Sequence, residues 1–577
     1  MRILAIDSEY EHANTFSTQL GGFSYSWEEG VASFLPWTSA ASQVCQRLLD
    51  EAEIVVMHNQ VADSMVLSRH GINIPYDKLH CTLVMAYVLR EEELGLKSLA
   101  SKYCGMNMVE LSEYTGQYGT KSFVDILDLP INIVWPYACR DADATRRLYL
   151  YLKKKLEAEP KLNFIYESIE RPLFPVVVDM QKEGMLVDVE RCRTLDGELA
   201  EVEKLLAEGM RSIVGRPLSW GHSPAVQEYV YGELGYPVQT GKEGRPTLDS
   251  KQAIPTLRSL GGYPTKGEEF LRTLADWRHV RKLRSSYTQT LPLIVDCNNY
   301  VHPTFKQAGA GTGRFSCAEP NIQQIPIRAS KESQEEGHPL GEWVRELFIA
   351  PEGYDWVGPD LSGIELRTFA MVARDRVLIK GYQENPNFDP HQYVEDIIGT
   401  PRRANKVLTY GRMFGQGEEA AYQEVAKNFQ ENHLPPPTRE EFKVMRRKHA
   451  QLLPSLSTYV DKIKGDLLRQ GYVETWLGRR IYFKTARGHD LRSAQSSPPQ
   501  GTAADLMKII LRNMWEMCKR EGAVLIGTVH DETPIYARKE DSKRIGILAK
   551  EVMETAVNWP VPIMAEVKIG KNWAEAH

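Results

Sequence analysis

Apolar runs and helical periods alternate over roughly the first 155 residues, and longer helical stretches follow. Ile3-Leu-Ala-Ile6 and Ile54-Val-Val-Met57 predict short strands, and the stretches from Leu79 to Arg90 and from Asp141 to Lys155 predict helices. Strands alternating with helices imply an α/β unit with its sheet covered on both faces. From about residue 190 to 300 the pattern is helical and charged, broken by Gly- and Pro-rich loops at Gly215 to Pro224 and Gly241 to Pro246. Trp356-Val-Gly-Pro359 predicts a strand ending just before Asp360. Ala523-Val-Leu-Ile-Gly-Thr-Val529 predicts another, with Asp531 at a hairpin between two apolar strands. Between them, about residues 367–480 read as helical. There Arg402, Lys406, Tyr410 and Phe414 recur every fourth position and share one slowly drifting helix face.

Length and composition narrow this picture. At 577 residues the chain exceeds one domain, and about 150 residues each gives three or four. Hydrophobic content of 42% and charged content of 25% are those of a globular protein. The net charge of −6 argues against a nucleic-acid binder only as an average. Basic stretches stand at Arg278 to Arg284, Lys443 to Lys448 and Arg479-Arg480, although each alone reads as a solvated helix face. Eight cysteines without a Cys-x-x-Cys pair indicate reduced thiols, not zinc or disulfides. No apolar run is long enough to span a bilayer, and a strand begins at once after Met1. Neither a signal nor a transit peptide is expected, and the expected location is cytoplasmic.

The chemistry lies in acid clusters. Asp360-Leu-Ser-Gly-Ile-Glu365 and His530-Asp-Glu532 flank the helix face of two cations and two aromatics. Cations suit phosphates, an aromatic suits a sugar or base, and paired carboxylates suit two divalent ions. These three segments resemble motifs A, B and C of family A DNA polymerases. Thr312-Gly-Arg314-Phe-Ser316, Pro320-Asn-Ile-Gln-Gln-Ile-Pro326, Tyr472 to Arg480, Gln500 to Asp505 and Gly570-Lys-Asn-Trp573 resemble further family segments, in order. The resemblance runs from about Glu170 to His577. It implies a polymerase domain over 158–577, shaped as a right hand. The thumb would cover about 190–305, the fingers about 367–480, and the palm the remaining segments, including 306–366 and 481–577.

By that resemblance, Asp360, Asp531 and the Leu361 carbonyl are metal ligands and Glu532 a weaker one. Mg²⁺ is the expected ion, two per active site, with Mn²⁺ as a substitute. Arg402 and Lys406 would bind dNTP phosphates, and Lys406 would protonate or polarise the leaving pyrophosphate. Glu365 would exclude a ribose 2′-OH. Tyr410 would lie near the sugar, with weak discrimination against dideoxynucleotides, and His391 would complete the dNTP contacts. Arg314, Arg492, Gln500, His530, Asn321 and Gln324 would touch primer-template DNA. Ser496, Gly363 and Phe414 depart from the usual Asn, Gln and Tyr.

Residues 1–157 carry a second constellation. Asp7-Ser-Glu9, Asn59 to Asp63, and Tyr137 to Asp141, the last expected just before a helix, resemble the three motifs of 3′–5′ proofreading exonucleases. The implied fold is ribonuclease H-like. Strand alternation puts Asp7 and Glu9 on one face, and helical spacing aligns Tyr137 with Asp141. Four such carboxylates repel unless cations intervene, so Asp7, Glu9, Asp63 and Asp141 are expected to hold two metals. Tyr137 would orient the attacking water. Because the exonuclease starts at residue 1, no 5′ nuclease domain is expected ahead of it. The arrangement resembles a monomeric, replicative, phage-like enzyme working in a host cytoplasm, with a helicase, primase or processivity factor as further partners. The rivals are a single-subunit RNA polymerase, a non-catalytic replisome scaffold and a dedicated nuclease. They are opposed by Glu365, by the intact acids and by the Arg402 helix respectively.

Overall fold

The computed structural model describes residues 2–11, 19–110, 113–114, 126–241, 244–250, 253–258, 260, 262–325 and 340–577. Pro326 and part of the Gly241 to Pro246 loop lie outside them. The chain packs as two units. One comprises Met1–Gly184, His302–Gln323 and Val357–Ile569, and the other Met185–Val301, Gln324–Trp356 and Gly570–His577.

The first unit opens with a five-stranded sheet in the order Val31–Pro36, Leu20–Glu28, Ile3–Tyr10, Ile54–Met57, Leu79–Cys81. Ile3–Tyr10 pairs antiparallel with Leu20–Glu28 and parallel with Ile54–Met57, so the sheet is mixed. Successive side chains of a strand point to opposite faces. Leu4, Ala5 and Ile6 are all fully buried, which means both faces of the central strand are covered. The helix Ile131–Glu157 packs on the three N-terminal strands.

Two expectations shift here. Leu79–Cys81 is a strand paired with Val55–Met57, and only Thr82–Leu89 is helical, because three consecutive buried residues complete the sheet edge. Tyr137 and Asp141 lie inside a helix that starts six residues before Tyr137, not ahead of one. The strands Leu20–Glu28 and Val31–Pro36 escaped the sequence reading. Glycine and serine interrupt the first, and its buried positions are held by tertiary pairing rather than propensity.

A second sheet runs in the order Val524–Leu525, Ile535–Arg538, Tyr354–Leu361, Ala565–Gly570. Asp360 lies within its strand instead of after it. The 34-residue helix Gly488–Glu521 packs against Ile364–Val372. A helical cluster including Arg402–Met413, Glu418–Glu431, Arg439–Leu452 and Ser455–Gln470 completes the unit. Phe414 is the capping residue that ends the Arg402 helix.

The second unit is largely helical. Val189–Val214 packs on Thr265–Leu283 over a core of Met210, Phe270, Leu271, Leu274 and Trp277. Asp188 caps the first of these helices by accepting from Arg191 N–H. Among the described residues no helix is long and apolar enough to cross a membrane, and all eight cysteines are free.

Candidate active sites

Asp7 and Glu9 leave one face of the strand Ile3–Tyr10, and Asp141 reaches them from the helix Ile131–Glu157. One carboxylate oxygen of each lies within 4.8 Å of the other two. Asp63, on the helix Gln60–Arg69, is tied to the same strand. Ser8 donates to its Oδ1 from the backbone N–H at 3.0 Å and from the hydroxyl at 2.5 Å. Burial, the largest cause, pushes the Glu9 carboxyl up to about 8, with Asp141 and Asp63 adding repulsion. Burial likewise pushes Asp63 up to about 7 and Asp141 up to about 6. Asp7 is driven well above the carboxylate range by burial and then by Asp63, Glu9 and Asp141. Among the described residues, Glu9 Oε1 and Asp141 Oδ1 are buried without a hydrogen-bond partner. Clustered hard oxygens with unmet acceptors fit a divalent cation.

Tyr137 lies one helical turn before Asp141 and hydrogen-bonds to it. Lys97 Nζ donates to the Tyr137 hydroxyl at 2.9 Å and lies 4.4 Å from the ring centroid. Lys97 was not singled out from sequence. A lysine on an amphipathic helix carries no local signal, and only the fold brings it to the acids.

The second acid site is built on a strand and a tight turn. Asp360 forms a backbone bridge with Glu532, and the Leu361 N–H donates to the Asp531 carbonyl at 3.3 Å. Val529 and Glu532 exchange backbone hydrogen bonds of 3.0 and 2.9 Å, which closes the turn. His530, inside it, takes the left-handed conformation with φ 58°, a cost that the surrounding bonds offset. Burial raises the Asp360 carboxyl to about 7, with Asp531, Glu532 and Glu566 adding like charge. Asp531 is also raised, chiefly by burial. Glu566, on the neighbouring edge strand, was another residue the sequence did not single out.

A cavity of about 290 Å³ opens beside these acids, lined by Arg314, Ile364, Glu365, Ala503, Ala504, Met507, His530 and Asp531. Arg314 Nη2 lies 3.1 Å from Glu365 Oε1. The turn that carries Arg314 depends on Gly313, at φ +98°, where a Cβ would come within 2.8 Å of Arg479 Nε. Gly501 serves the same approach from the long helix, where a Cβ would stand 2.8 Å from the Thr312 carbonyl. Gln500 is half-buried beside it, whereas Arg492 is exposed.

On the Arg402 helix, Lys406 Nζ lies 5.8 Å from the Tyr410 ring, which lies 5.8 Å from His391 and 5.7 Å from Phe414. Burial, then Glu365, raises the Tyr410 phenol to about 12. Burial lowers His391 to about 4, so the ring is neutral at pH 7. Arg402 Nε is paired with Asp389 Oδ2 at 2.6 Å. The Ser496 hydroxyl donates back to the Ser493 carbonyl on its own helix. Among the described residues Asn321 Oδ1 is buried without a hydrogen-bond partner, and Gln324, itself exposed, ends a 3₁₀ turn and belongs to the second unit.

Comparison with known proteins agrees with this two-site layout. Residues 189–575 match the family described as DNA polymerase family A, and residues 1–157 match the one described as 3′-5′ exonuclease. DNA polymerase I of Pseudomonas aeruginosa is 27% identical over 100% of this chain and 64% of its own length. The thermostable DNA polymerase I of Thermus aquaticus is 32% identical over 89% of this chain and 57% of its own. The chain thus spans under two thirds of these relatives. A solved structure titled "POL domain of Pol1 from M. smegmatis complex with DNA primer-template and dNTP" superposes with a TM-score of 0.82. It is 23% identical and covers 99% of this chain and 96% of that one.

Proposed function

We infer, from a chain that belongs to DNA polymerase family A and carries a 3′–5′ exonuclease domain ahead of its polymerase domain, that it copies a DNA template from dNTPs and proofreads its own product. The observation that carries this reading is the junction of strand and turn that sets Asp360 beside Asp531 and Glu532. It opens on the cavity holding Glu365 and Arg314. Asp360, Asp531 and the Leu361 carbonyl would hold divalent ions, of which Mg²⁺ is the expected species, and Glu532 would support them. Bound in a pair, such ions lower the barrier by activating the primer 3′ oxygen and neutralising the pyrophosphate.

The chain's own residues do the rest. Arg402 and Lys406 take the triphosphate, with Arg402 exchanging Asp389 for phosphate. Tyr410, with His391 at its edge, packs on the sugar and base. Glu365, held by Arg314, occupies the space a 2′-OH needs. Arg314, Arg492, Gln500, His530, Asn321 and Gln324 contact the primer-template. In the N-terminal site Asp7, Glu9, Asp63 and Asp141 would hold the metals of the nuclease, and Tyr137 would orient water. The matched relatives are bacterial, so the proposal stops at polymerase and proofreading nuclease, without the replicative, phage-like role expected from sequence.

Primer extension with dNTPs, with rNTPs or with no nucleotide tests the reading. Asp360→Ala or Asp531→Ala should abolish extension and leave digestion of single strands, and Asp7→Ala with Glu9→Ala should do the reverse. Substantial extension by either of the first two variants, with Mg²⁺ supplied, would sink the polymerase assignment. Digestion at the parental rate by the double variant would sink the nuclease assignment.

A further inference from the structure

Among the described residues, the Tyr137 hydroxyl has two partners of opposite character. Asp141, one turn along the helix, takes its hydrogen bond. Lys97 Nζ approaches the phenol oxygen at 2.9 Å from the first turn of Leu96–Cys104. The lysine side chain is only 13% exposed, so its ammonium is largely removed from water. A protonated lysine has three donors and no acceptor, whereas a phenol both donates and accepts. The polarity of this contact is therefore fixed. Lys97 donates to a lone pair on the phenol oxygen, and the hydroxyl proton must point away from Lys97, toward the carboxylate side. Without Lys97 the hydroxyl can turn about its C–O bond and donate elsewhere.

We propose that Lys97 is a positioning residue of the 3′–5′ nuclease, aiming the Tyr137 O–H at the place where the attacking water sits. The inference rests on the nuclease reading of the Asp7 site. In that reaction the water oxygen bonds to the terminal phosphorus and the P–O3′ bond breaks. The product strand ends in a 3′-OH, and a nucleoside 5′-monophosphate leaves. Hydrolysis consumes one water and needs no other reactant. Once water enters, the Tyr137 O–H turns from Asp141 to donate to that water, which keeps a lone pair directed at phosphorus. Lys97 touches neither water nor phosphate; its charge also reaches the Asp141, Glu9 and Asp7 carboxyls and lowers them, and the Tyr137→Phe background separates that effect from its action through the phenol. Glu110, 3.5 Å from Lys97 Nζ, is 62% exposed, so that ion pair is screened and does not by itself account for a lysine only 13% exposed against a tyrosine face.

The test uses the full chain and a single-stranded oligonucleotide with Mg²⁺, with kcat and KM measured separately. Lys97→Met should lower kcat of digestion roughly tenfold, equivalent to ~1.4 kcal/mol of barrier, with KM held within about twofold. Lys97→Arg, which keeps a donor-only cation, should recover most of the loss. In a Tyr137→Phe background, Lys97→Met should change kcat by less than about twofold, because the group it acts through is gone. Primer extension by every variant should match the parent, which reports an intact fold. Equal losses in both backgrounds would assign Lys97 a general electrostatic or folding role and overturn the inference. So would an unchanged kcat in Lys97→Met, or no recovery by Lys97→Arg. Digestion that is sensitive to Asp7→Ala but indifferent to Lys97→Met overturns this inference alone. A parent that does not digest overturns the nuclease reading and this one with it.

Discussion

Glu170→Gln removes one charge from a fully buried cluster, and its cost can be worked out. Glu170 Oε1 lies 2.6 Å from Arg479 Nη2 and 2.7 Å from Lys508 Nζ, and Arg479 Nε donates to Asp505 Oδ1 at 2.7 Å. Gln307 Nε2 donates to the other Glu170 oxygen at 2.8 Å. All four charged side chains are at most 1% exposed, and the two acids balance the two bases. Glutamine in place of Glu170 leaves one buried positive charge unmatched. Breaking such a pair by one partner costs ~3–5 kcal/mol.

Lys508 provides the escape. Burial, then Arg479, lowers its pKa to about 8 against the opposing pull of Glu170, while Glu170 itself is held below its usual range by Lys508 and Arg479. Without Glu170 the ammonium gives up its proton near neutrality. Deprotonating a lysine of pKa ~10.4 at pH 7 costs ~4.6 kcal/mol, in line with the first figure. A lowered lysine pKa means the unfolded state binds more protons between the folded and unfolded values, so stability rises with pH across that window. The parent gains stability as pH rises above about 8, and the variant begins to gain it nearer neutrality. The defect should therefore narrow between pH 7 and pH 9.

Hydrogen exchange of peptides spanning the π-helical segment Ile165–Glu170 and the hairpin Tyr472–Tyr482 reads this locally, without assuming two-state melting. Protection should fall by roughly two to three and a half decades at pH 7. Glu474→Gln, which breaks a 2.7 Å pair with the 63% exposed Lys161, should cost at most ~1 kcal/mol. A loss under about tenfold in Glu170→Gln, or one independent of pH, would refute the argument. Because Arg479 lies under Gly313, extension should weaken along with protection.

Two further outcomes follow from the acid sites. The buried N-terminal carboxylates have folded pKa values raised to about 8, 7 and 6 at Glu9, Asp63 and Asp141. Their contribution to stability is complete below the ordinary carboxylate pKa and is lost as pH rises through 6 to 8. Added Mg²⁺ should therefore raise the unfolding temperature more at pH 8 than at pH 6, and chelation should reverse it. Equal increments at both pH values, or an undiminished increment in Asp7→Ala with Glu9→Ala, would refute a cation site there. Glu365→Ala should lower the dNTP-over-rNTP ratio of specificity constants by at least roughly tenfold. An unchanged ratio would place the sugar gate on another residue.

Much of the layout was legible because chemistry and periodicity coincide. Asp7 and Glu9 declare themselves by strand alternation, and the Arg402 face by its four-residue spacing. The boundaries were less so. Leu79–Cys81 reads as the start of a helix until a neighbouring strand claims its backbone hydrogen bonds. Partners that depend on folding were silent. Ser8 looks like filler between two acids, yet it fixes Asp63. Glu170, Arg479, Asp505 and Lys508 span 338 residues of sequence, and nothing local marks them as one cluster.

The two kinds of polar group also differ in how tightly they are held, and that difference suits the proposed chemistry. Asp7, Glu9, Asp360 and Asp531 sit on strand and turn backbone, and Asp63 and Asp141 on helices; burial there makes an uncompensated charge costly and cation binding favourable. The cations that would meet substrate are paired at the surface instead. Arg402 with Asp389 and Arg314 with Glu365 are between 33% and 50% exposed. Pairs that exposed are worth ~0–1 kcal/mol, so an incoming triphosphate or primer can displace them at little cost. A rigid acid floor beneath exchangeable cations keeps the geometry of the reacting centre fixed while the substrate contacts turn over at each addition.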